Sequence, residues 1–238
     1  MTIRIALIDT LKQAARSAGE LLREGYHAAG TIDFEAKGAS DFVTHYDRAS
    51  EHAIIETVRR THPGVGFIGE ESGTTAAEAG DLTVIIDPLD GTNNFLHRVP
   101  HFSVSIAVRE GGVLTHGVVY QPLLDEMLVA TCLPYHAKGD CPTSVAQLTL
   151  LMPRVVGIRV PGSAALEIAY AGLGRFDAFW SQGARLDLWD VAAGIVIARE
   201  AGCTVTDLAG DPDPAEWNSL LVAHPERHDK LRGALQAH

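Results

Sequence analysis

The chain has 238 residues, 46% of them hydrophobic and 21% charged, which is enough for one or two packed domains and too apolar for a disordered protein. Nineteen basic against 30 acidic side chains leave a net charge of −11, a surface that repels nucleic acid and anionic membrane and needs a cation beside any phosphorylated substrate. No run approaches the ~20 apolar residues of a membrane span, the opening residues read as an amphipathic pattern and not a signal sequence, and Cys132, Cys141 and Cys203 form no zinc-like spacing, so a cytoplasmic protein with reduced thiols is expected.

Leu7, Leu11, Ala14, Ala18 and Leu21 recur at helical spacing, with Lys12, Arg16, Glu20 and Arg23 on other faces, so an amphipathic helix is expected first, ended by Gly25 and Gly30. A second helix is expected around Ala49, Ala53, Ile54 and Val58, stopped by Pro63-Gly64. Thr44 and Asp47 ahead of it have capping-box spacing, and an acid in that first turn can equally face a metal site. Residues 65–68 read as a short strand ending in Glu70-Glu71, adjacent acids that suit a solvated edge if nothing else meets them. Residues 74–81 read as a loop or short helical turn.

The β-branched run over 82–86 is a buried strand, and it leads into Asp87-Pro88-Leu89-Asp90-Gly91-Thr92. Catalytic sites of open sheets commonly lie at such strand ends. Two carboxylates at this spacing, with Pro88 stiffening the turn and Gly91 permitting close approach, can face one point from two directions, as a hard divalent cation requires. Main-chain N–H groups near Thr92 can donate to phosphate oxygens. An Asx-type turn serving only the backbone is the alternative. The spacing differs from the alternating acids of a calcium EF-hand and from the Asp-x-Asp-Gly-Thr motif of haloacid dehalogenase-type hydrolases.

Residues 102–108 and 113–120 alternate around Glu110-Gly111-Gly112 and should form a β-hairpin, with 127–130 adding a strand to the same sheet. Pro134, Gly139, Pro142 and Pro153 break the pattern over 132–153, which reads as a boundary or crossover. The remainder reads as strand (155–160), helix (163–171), strand (176–180), helix (191–201), strands (204–206 and 220–223) and a last helix opened by Pro225. Asp190 sits at the start of its helix, where a carboxylate is also a plain cap. Layered α+β architecture follows, divided into a metal- and phosphate-binding half (1–131), a short crossover (132–153) and a half that completes the site (154–238).

Glu70-Glu71 after a strand, the Asp87–Phe95 stretch, Trp189-Asp190-Val191-Ala192-Ala193-Gly194 and residues 37–47 together resemble the inositol monophosphatase family of metal-dependent sugar phosphatases, in that family's order. Pro100-His101-Phe102-Ser103-Val104-Ser105, Gly162-Ser163-Ala164-Ala165-Leu166 and Glu200-Ala201-Gly202 look like its further landmarks. The resemblance implies a layered αβαβα sandwich with a site for two to three magnesium ions. Glu70, Asp87 and the Leu89 carbonyl would hold the first ion, Asp87, Asp90 and Asp190 the second, and Glu70 would touch a third. It implies too that Thr92 and Asp47 orient and deprotonate the attacking water, that the Gly91 and Thr92 N–H groups grip phosphate, and that Lys37 balances charge. Gly162, Ser163, Ala164 and Arg185 would line the substrate. Two features depart from the family: the segment 132–154 is short, so the second half looks trimmed, and the 181–188 stretch is longer than expected without the hydroxyl-binding Glu of inositol-preferring members. The implied substrate is therefore inositol phosphate or a related sugar phosphate, with a bisphosphorylated sugar or nucleotide as alternative, where Arg185 would meet the second phosphate. A non-catalytic regulator on the same fold is the alternative of another class. Family members often dimerise, so a homodimer is implied, with neither nucleic acid nor membrane as partner.

Overall fold

In a computed structural model, residues 2–38, 41–78, 80–123, 130–132, 141–155, 157–184, 186–214 and 216–236 are described. Helix α1 (Thr2–His27) buries Leu7, Leu11, Ala14, Ala18 and Leu22, with Leu22 taking the place expected of Leu21. It runs through Gly25 to His27, and the Tyr46 ring accounts for the glycine, since it occupies the space where a Cβ would stand, 2.5 Å away. Its end is tied down by Arg98, whose Nη1 donates to the Gly25 carbonyl at 2.6 Å and to that of Tyr26, while Nη2 donates to those of Ala28 and Gly30 at 3.1 and 3.2 Å. The Gly25 and Tyr26 carbonyls belong to the last turn of α1, where a helix runs short of its own N–H donors, and those of Ala28 and Gly30 lie just beyond its end. Tyr26 returns its hydroxyl to the Arg98 carbonyl at 2.6 Å.

A hairpin of β1 (Phe34–Gly38) and β2 (Asp41–Thr44) leads into α2 (His45–Thr61). The first large sheet contains β3 (Gly66–Gly69), β4 (Gly73–Thr75), β5 (Thr83–Asp90), β6 (Ser103–Glu110) and β7 (Val113–Tyr120) in the order β4-β3-β5-β6-β7, with β3 and β5 parallel and the other pairs antiparallel. The short helix α3 (Thr92–Leu96) follows β5. Next come β8 (Ala130–Cys132), α4 (Cys141–Leu151), α5 (Ala164–Gly172), β9 (Ala178–Gln182), α6 (Leu188–Glu200), β10 (Thr204–Thr206), β11 (Ser219–Ala223) and α7 (Pro225–Leu235), with the second sheet ordered β10-β11-β9-β8.

Five layers result: α1 and α2 cover the outer face of the first sheet, α5 and α6 fill the space between the sheets, and α4 and α7 cover the second sheet. The expected αβαβα sandwich is the observed one. Small residues let the middle layer sit close. A Cβ on Gly117 in β7 would lie 2.4 Å from the Ala193 carbonyl of α6, and one on Gly194 would lie 2.7 Å from the Ile168 side chain of α5. Among the described residues, no helix is long and apolar enough to cross a membrane.

Four sequence expectations are corrected. The strand expected near 127–130 in the first sheet is β8 at Ala130–Cys132, which pairs in parallel with β9 in the second sheet; 124–129 lie outside the described residues. The segment 132–153 contains the helix α4, since Pro142 falls in its first turn, where proline needs no N–H partner, and Ser144, Gln147 and Leu151 turn inward. Residues 157–160 form no strand: Ile158 packs into the outer cluster while Val160 is 45% exposed, so the two sit singly on irregular chain. Residues 73–75 form the edge strand β4 where a loop or helical turn was expected.

Candidate metal and phosphate site

On a regular strand, residues three apart point to opposite faces. Asp87 pairs with Ser105 and Asp90 with Ser103, so three steps on β5 match two on β6, and a bulge absorbs the extra residue at Pro88-Leu89. The bulge turns both carboxylates to one face. The Leu89 N–H donates back to Asp87 Oδ1 at 3.0 Å and holds the turn. Gly91 follows with φ at 93°, and a Cβ there would lie 3.1 Å from both the Gly162 and His101 carbonyls. That left-handed position between two backbones calls for glycine. Asn94 fastens the same junction, its amide donating to the His101 carbonyl at 2.6 Å and the Pro161 carbonyl at 2.7 Å.

Asp90 occupies the N-terminus of α5. Its Oδ1 accepts the Ala164 N–H at 3.1 Å, and its Oδ2 accepts the Ala165 N–H at 3.1 Å, the Ser103 hydroxyl at 3.2 Å and the Ser163 hydroxyl. Ser163 is the residue before α5 and does not cap it, so a carboxylate from another strand satisfies the free N–H groups of the helix. Three donors saturate Oδ2, which leaves Oδ1 as the oxygen with room for a further partner. The turn ahead of α5 is fixed by Glu167, fully buried, whose Oε1 accepts the Gly162 and Ser163 N–H groups at 2.8 and 3.0 Å. Burial, and secondarily the Asp90 charge, push the Glu167 carboxyl well above its ordinary range. Thus the Gly162 N–H, Ser163 N–H and hydroxyl, and Ala164 N–H all serve carboxylates of the chain itself.

Asp190 comes from α6. Asp187, not Asp190, is the residue before that helix, and the Asp187 N–H donates to Asp190 Oδ2 at 2.6 Å, so Asp190 closes a capping box from the third helical position. The helix starts at Leu188, one turn ahead of the expected Val191, because the Asp187-x-x-Asp190 spacing supplies a start signal. Oxygens of Asp87, Asp90 and Asp190 lie within 4.8 Å of one another. Burial raises the Asp87 carboxyl well above its ordinary range, helped by the charges of Glu70, Asp90 and Asp190; burial raises Asp190 well above too, followed by the Asp90 charge, and takes Asp90 to about 6. Like charges crowded out of water favour a cation among them, and an all-oxygen donor set suits a hard divalent ion.

Glu70 stands outside that tight triad but close enough for its charge to act on Asp87 and Asp190, with its N–H anchored to the Ile86 carbonyl of β5 at 3.1 Å. Asp47 closes the capping box of α2: its Oδ2 accepts the Thr44 N–H at 2.8 Å and hydroxyl at 2.6 Å, while its Oδ1 faces the Thr92 hydroxyl at 3.1 Å. Capping and site contact therefore coexist. Burial raises the Asp47 carboxyl above its ordinary value. Thr92 also reaches the Leu89 carbonyl at 3.0 Å, and its single proton serves one of the two acceptors at a time. Lys37 falls on β1 with its side chain outside the described residues, as is all of residue 185.

Sequence reasoning gave no site role to Glu167 or Asp187, and named Ser103 only as a landmark of the resemblance, without its bond to Asp90. Ser103 and Ser105 look like the wet face of an alternating strand, yet both are buried, since α6 covers that face and Ser105 donates to the Trp189 carbonyl at 3.2 Å. A glutamate four residues after Ser163 was the available signal for Glu167.

The model of the inositol monophosphatase family matches residues 6–133 and 124–238. The inositol-1-monophosphatase of Mesorhizobium japonicum is 34% identical over 248 aligned residues, covering 93% of this chain and 92% of its own. The Nus factor SuhB of Escherichia coli strain K12 is 35% identical over 246, covering 92% of this chain and 91% of its own. In structure, the extragenic suppressor protein suhB of Bartonella henselae superposes with a TM-score of 0.90 at 34% identity, over 98% of this chain and 99% of that one.

Proposed function

Because the chain belongs to the inositol monophosphatase family, we propose that this phosphoric monoester hydrolase depends on magnesium and acts on inositol monophosphate or related sugar phosphates. The observation that carries the reading is the meeting of Asp87, Asp90 and Asp190 within 4.8 Å. Their oxygens, with Glu70 and the Leu89 carbonyl beside them, are the residues that would hold the metal. Bound there, magnesium would activate a water and offset charge on the phosphoryl oxygens.

The chain's own groups supply the rest. A Thr92 hydroxyl that donates to Asp47 leaves its oxygen to accept a hydrogen bond from water, which orients that water. Asp47, held by Thr44 at one oxygen and raised by burial, is the base that draws the proton away through Thr92. The Gly91 turn offers main-chain N–H groups for phosphate, consistent with its left-handed backbone. Among the described residues no side chain is identified with the hydroxyls of a particular alcohol, and Ser181, in the stretch where the family's inositol-preferring members carry Glu, is fully buried. An open substrate range follows.

Phosphate release from inositol 1-phosphate, fructose 1,6-bisphosphate, NADP, 3′-phosphoadenosine 5′-phosphate and glycerol 2-phosphate, with and without Mg2+, tests the reading. Several esters should be hydrolysed with comparable kcat/KM, and Asp190→Asn should remove the activity. Arg185→Ala, included in the panel, should matter most for substrates with two phosphates. A second reading, a binding protein on the same fold, is favoured by the match to a relative named Nus factor SuhB at 35% identity, beside 34% for a named phosphatase. A folded protein inert on every ester with Mg2+ would select it.

A further inference from the structure

We infer that Glu51 is the positioning residue for the acidic turn at Glu70, setting the affinity of one of the metal positions without touching the metal. The inference rests on the metal-dependent reading above. Glu51 follows Asp47 by four residues on α2, so the helix presents both carboxylates on one face. It is 2% exposed, and each of its two oxygens takes a separate main-chain donor: Oε2 accepts the Glu71 N–H at 3.0 Å and Oε1 the Ser72 N–H at 2.8 Å. Successive N–H groups converging on one carboxylate form an anion nest, here filled by the chain itself.

The consequence falls on Glu70. Its own N–H is fixed to the Ile86 carbonyl of β5 at 3.1 Å, and the next two N–H groups are fixed to Glu51, so the backbone is held on both sides of the side chain that acts on Asp87 and Asp190. One end of that grip is the strand carrying Asp87 and the other is the helix carrying Asp47. Gly69 makes the contact possible. A Cβ there would stand 2.6 Å from Glu51 Oε2 and 2.7 Å from Oε1, so any larger residue drives the carboxylate out of the nest. A glutamine at 51 keeps one acceptor but turns an NH2 towards a main-chain donor, losing one of the two bonds at unchanged size.

Two variants press on the turn from opposite sides: Glu51→Gln, and Gly69→Ala, which leaves the carboxylate in the chain but displaces it. Full-length, metal-free protein is titrated with Mn2+, free ion being counted by electron paramagnetic resonance, and folding is followed by circular dichroism melts. Residues that orient a ligand typically change metal affinity by about 10–100-fold. Both variants should weaken one class of Mn2+ site by that factor and leave the remaining class at the parental affinity, with the Mg2+ dependence of turnover shifting in step while kcat at saturating Mg2+ is largely recovered. Parental Mn2+ binding in folded variants that merely melt earlier would overturn the inference, as would equal weakening of every class. The titration needs no turnover, so a parent that binds Mn2+ but hydrolyses no ester would refute the proposed function separately.

Discussion

Replacing Asp87 by asparagine removes one charge from a crowded triad, in which Asp87 and Asp90 are buried, while keeping its shape, so it should stabilise the metal-free protein and disable the site together. Asparagine Oδ1 can keep the bond from the Leu89 N–H, which directs the amide nitrogen towards Asp90 and Asp190. Two carboxylates no more than 4.8 Å apart repel by roughly 3 kcal/mol at an effective dielectric constant near 20. Asp87 faces two such neighbours, and burial together with the neighbouring charges raises its carboxyl, so the charged form is the one the triad opposes. A net gain of about 2 kcal/mol at pH 8 is therefore expected, a rise of roughly 4–8 °C in melting temperature for a chain of this size. The gain should vanish near pH 4, where the parent carboxyl is protonated as well. Melts followed by circular dichroism, after EDTA treatment and with millimolar Mg2+, read both effects. Mg2+ should raise the parent's melting temperature and leave the variant's unchanged. A metal-free variant melting at or below the parent at pH 8, or one raised by Mg2+ as much as the parent, would refute the reasoning.

The Asp90 carboxyl, raised to about 6, binds more protons folded than unfolded, so its contribution is complete below its ordinary value near 4 and is lost as pH rises through about 6. The difference in stability between Mg2+-saturated and metal-free protein should therefore widen across that window by roughly 3 kcal/mol, and a constant difference in paired melts would contradict it. Thr92→Ala should lower turnover by roughly 10²–10⁴-fold with Mn2+ binding retained, since the positioned hydroxyl is lost and no carboxylate is; near-parental turnover would exclude Thr92 from water activation. Arg98→Ala should destabilise the fold by about 2 kcal/mol through loss of its four carbonyl partners at the end of α1. Arg98 sits at φ 58°, so Arg98→Gly should recover part of that loss in thermal melts, and a Gly variant less stable than the Ala variant would count against the strain.

Where local signals agreed with packing, the sequence was legible. The capping spacing of Thr44 and Asp47 marked the start of α2, and the β-branched run before Asp87 marked the central strand, because both depend on residues a few positions apart. The site motif was legible for the same reason: Asp-Pro-Leu-Asp-Gly is a bulge and a turn written in adjacent residues. Elements decided by distant partners were not. Neither β8 nor the irregular 157–160 stretch can be assigned without knowing that β9 offers β8 an edge while Ile158 packs into the outer cluster. Ser103 and Ser105 reversed their meaning once α6 covered their strand, and Glu51 became legible only when the turn after β3 folded back onto α2.

The arrangement also explains how a chain of net charge −11 gathers carboxylates before any cation arrives. Asp47 and Asp190 each occupy the third position of a helix and accept the N–H of the residue that precedes it, while Asp90 accepts the first two N–H groups of α5 from outside. Three helix N-termini thus point their unsatisfied donors and partial positive charge at one end of β5. Each contact is worth only about 0.3–2 kcal/mol, less than the repulsion between two of the acids, so the helices lessen the charge imbalance without removing it. The rest of that imbalance falls on Asp87, which accepts the Leu89 main-chain N–H and whose carboxyl is raised first by burial and then by the charges of Glu70, Asp90 and Asp190. A cation placed beside Asp87 would therefore relieve more unfavourable energy than one placed beside a carboxylate already held by a helix, so the proposed metal site would draw most of its affinity from the bulge of β5.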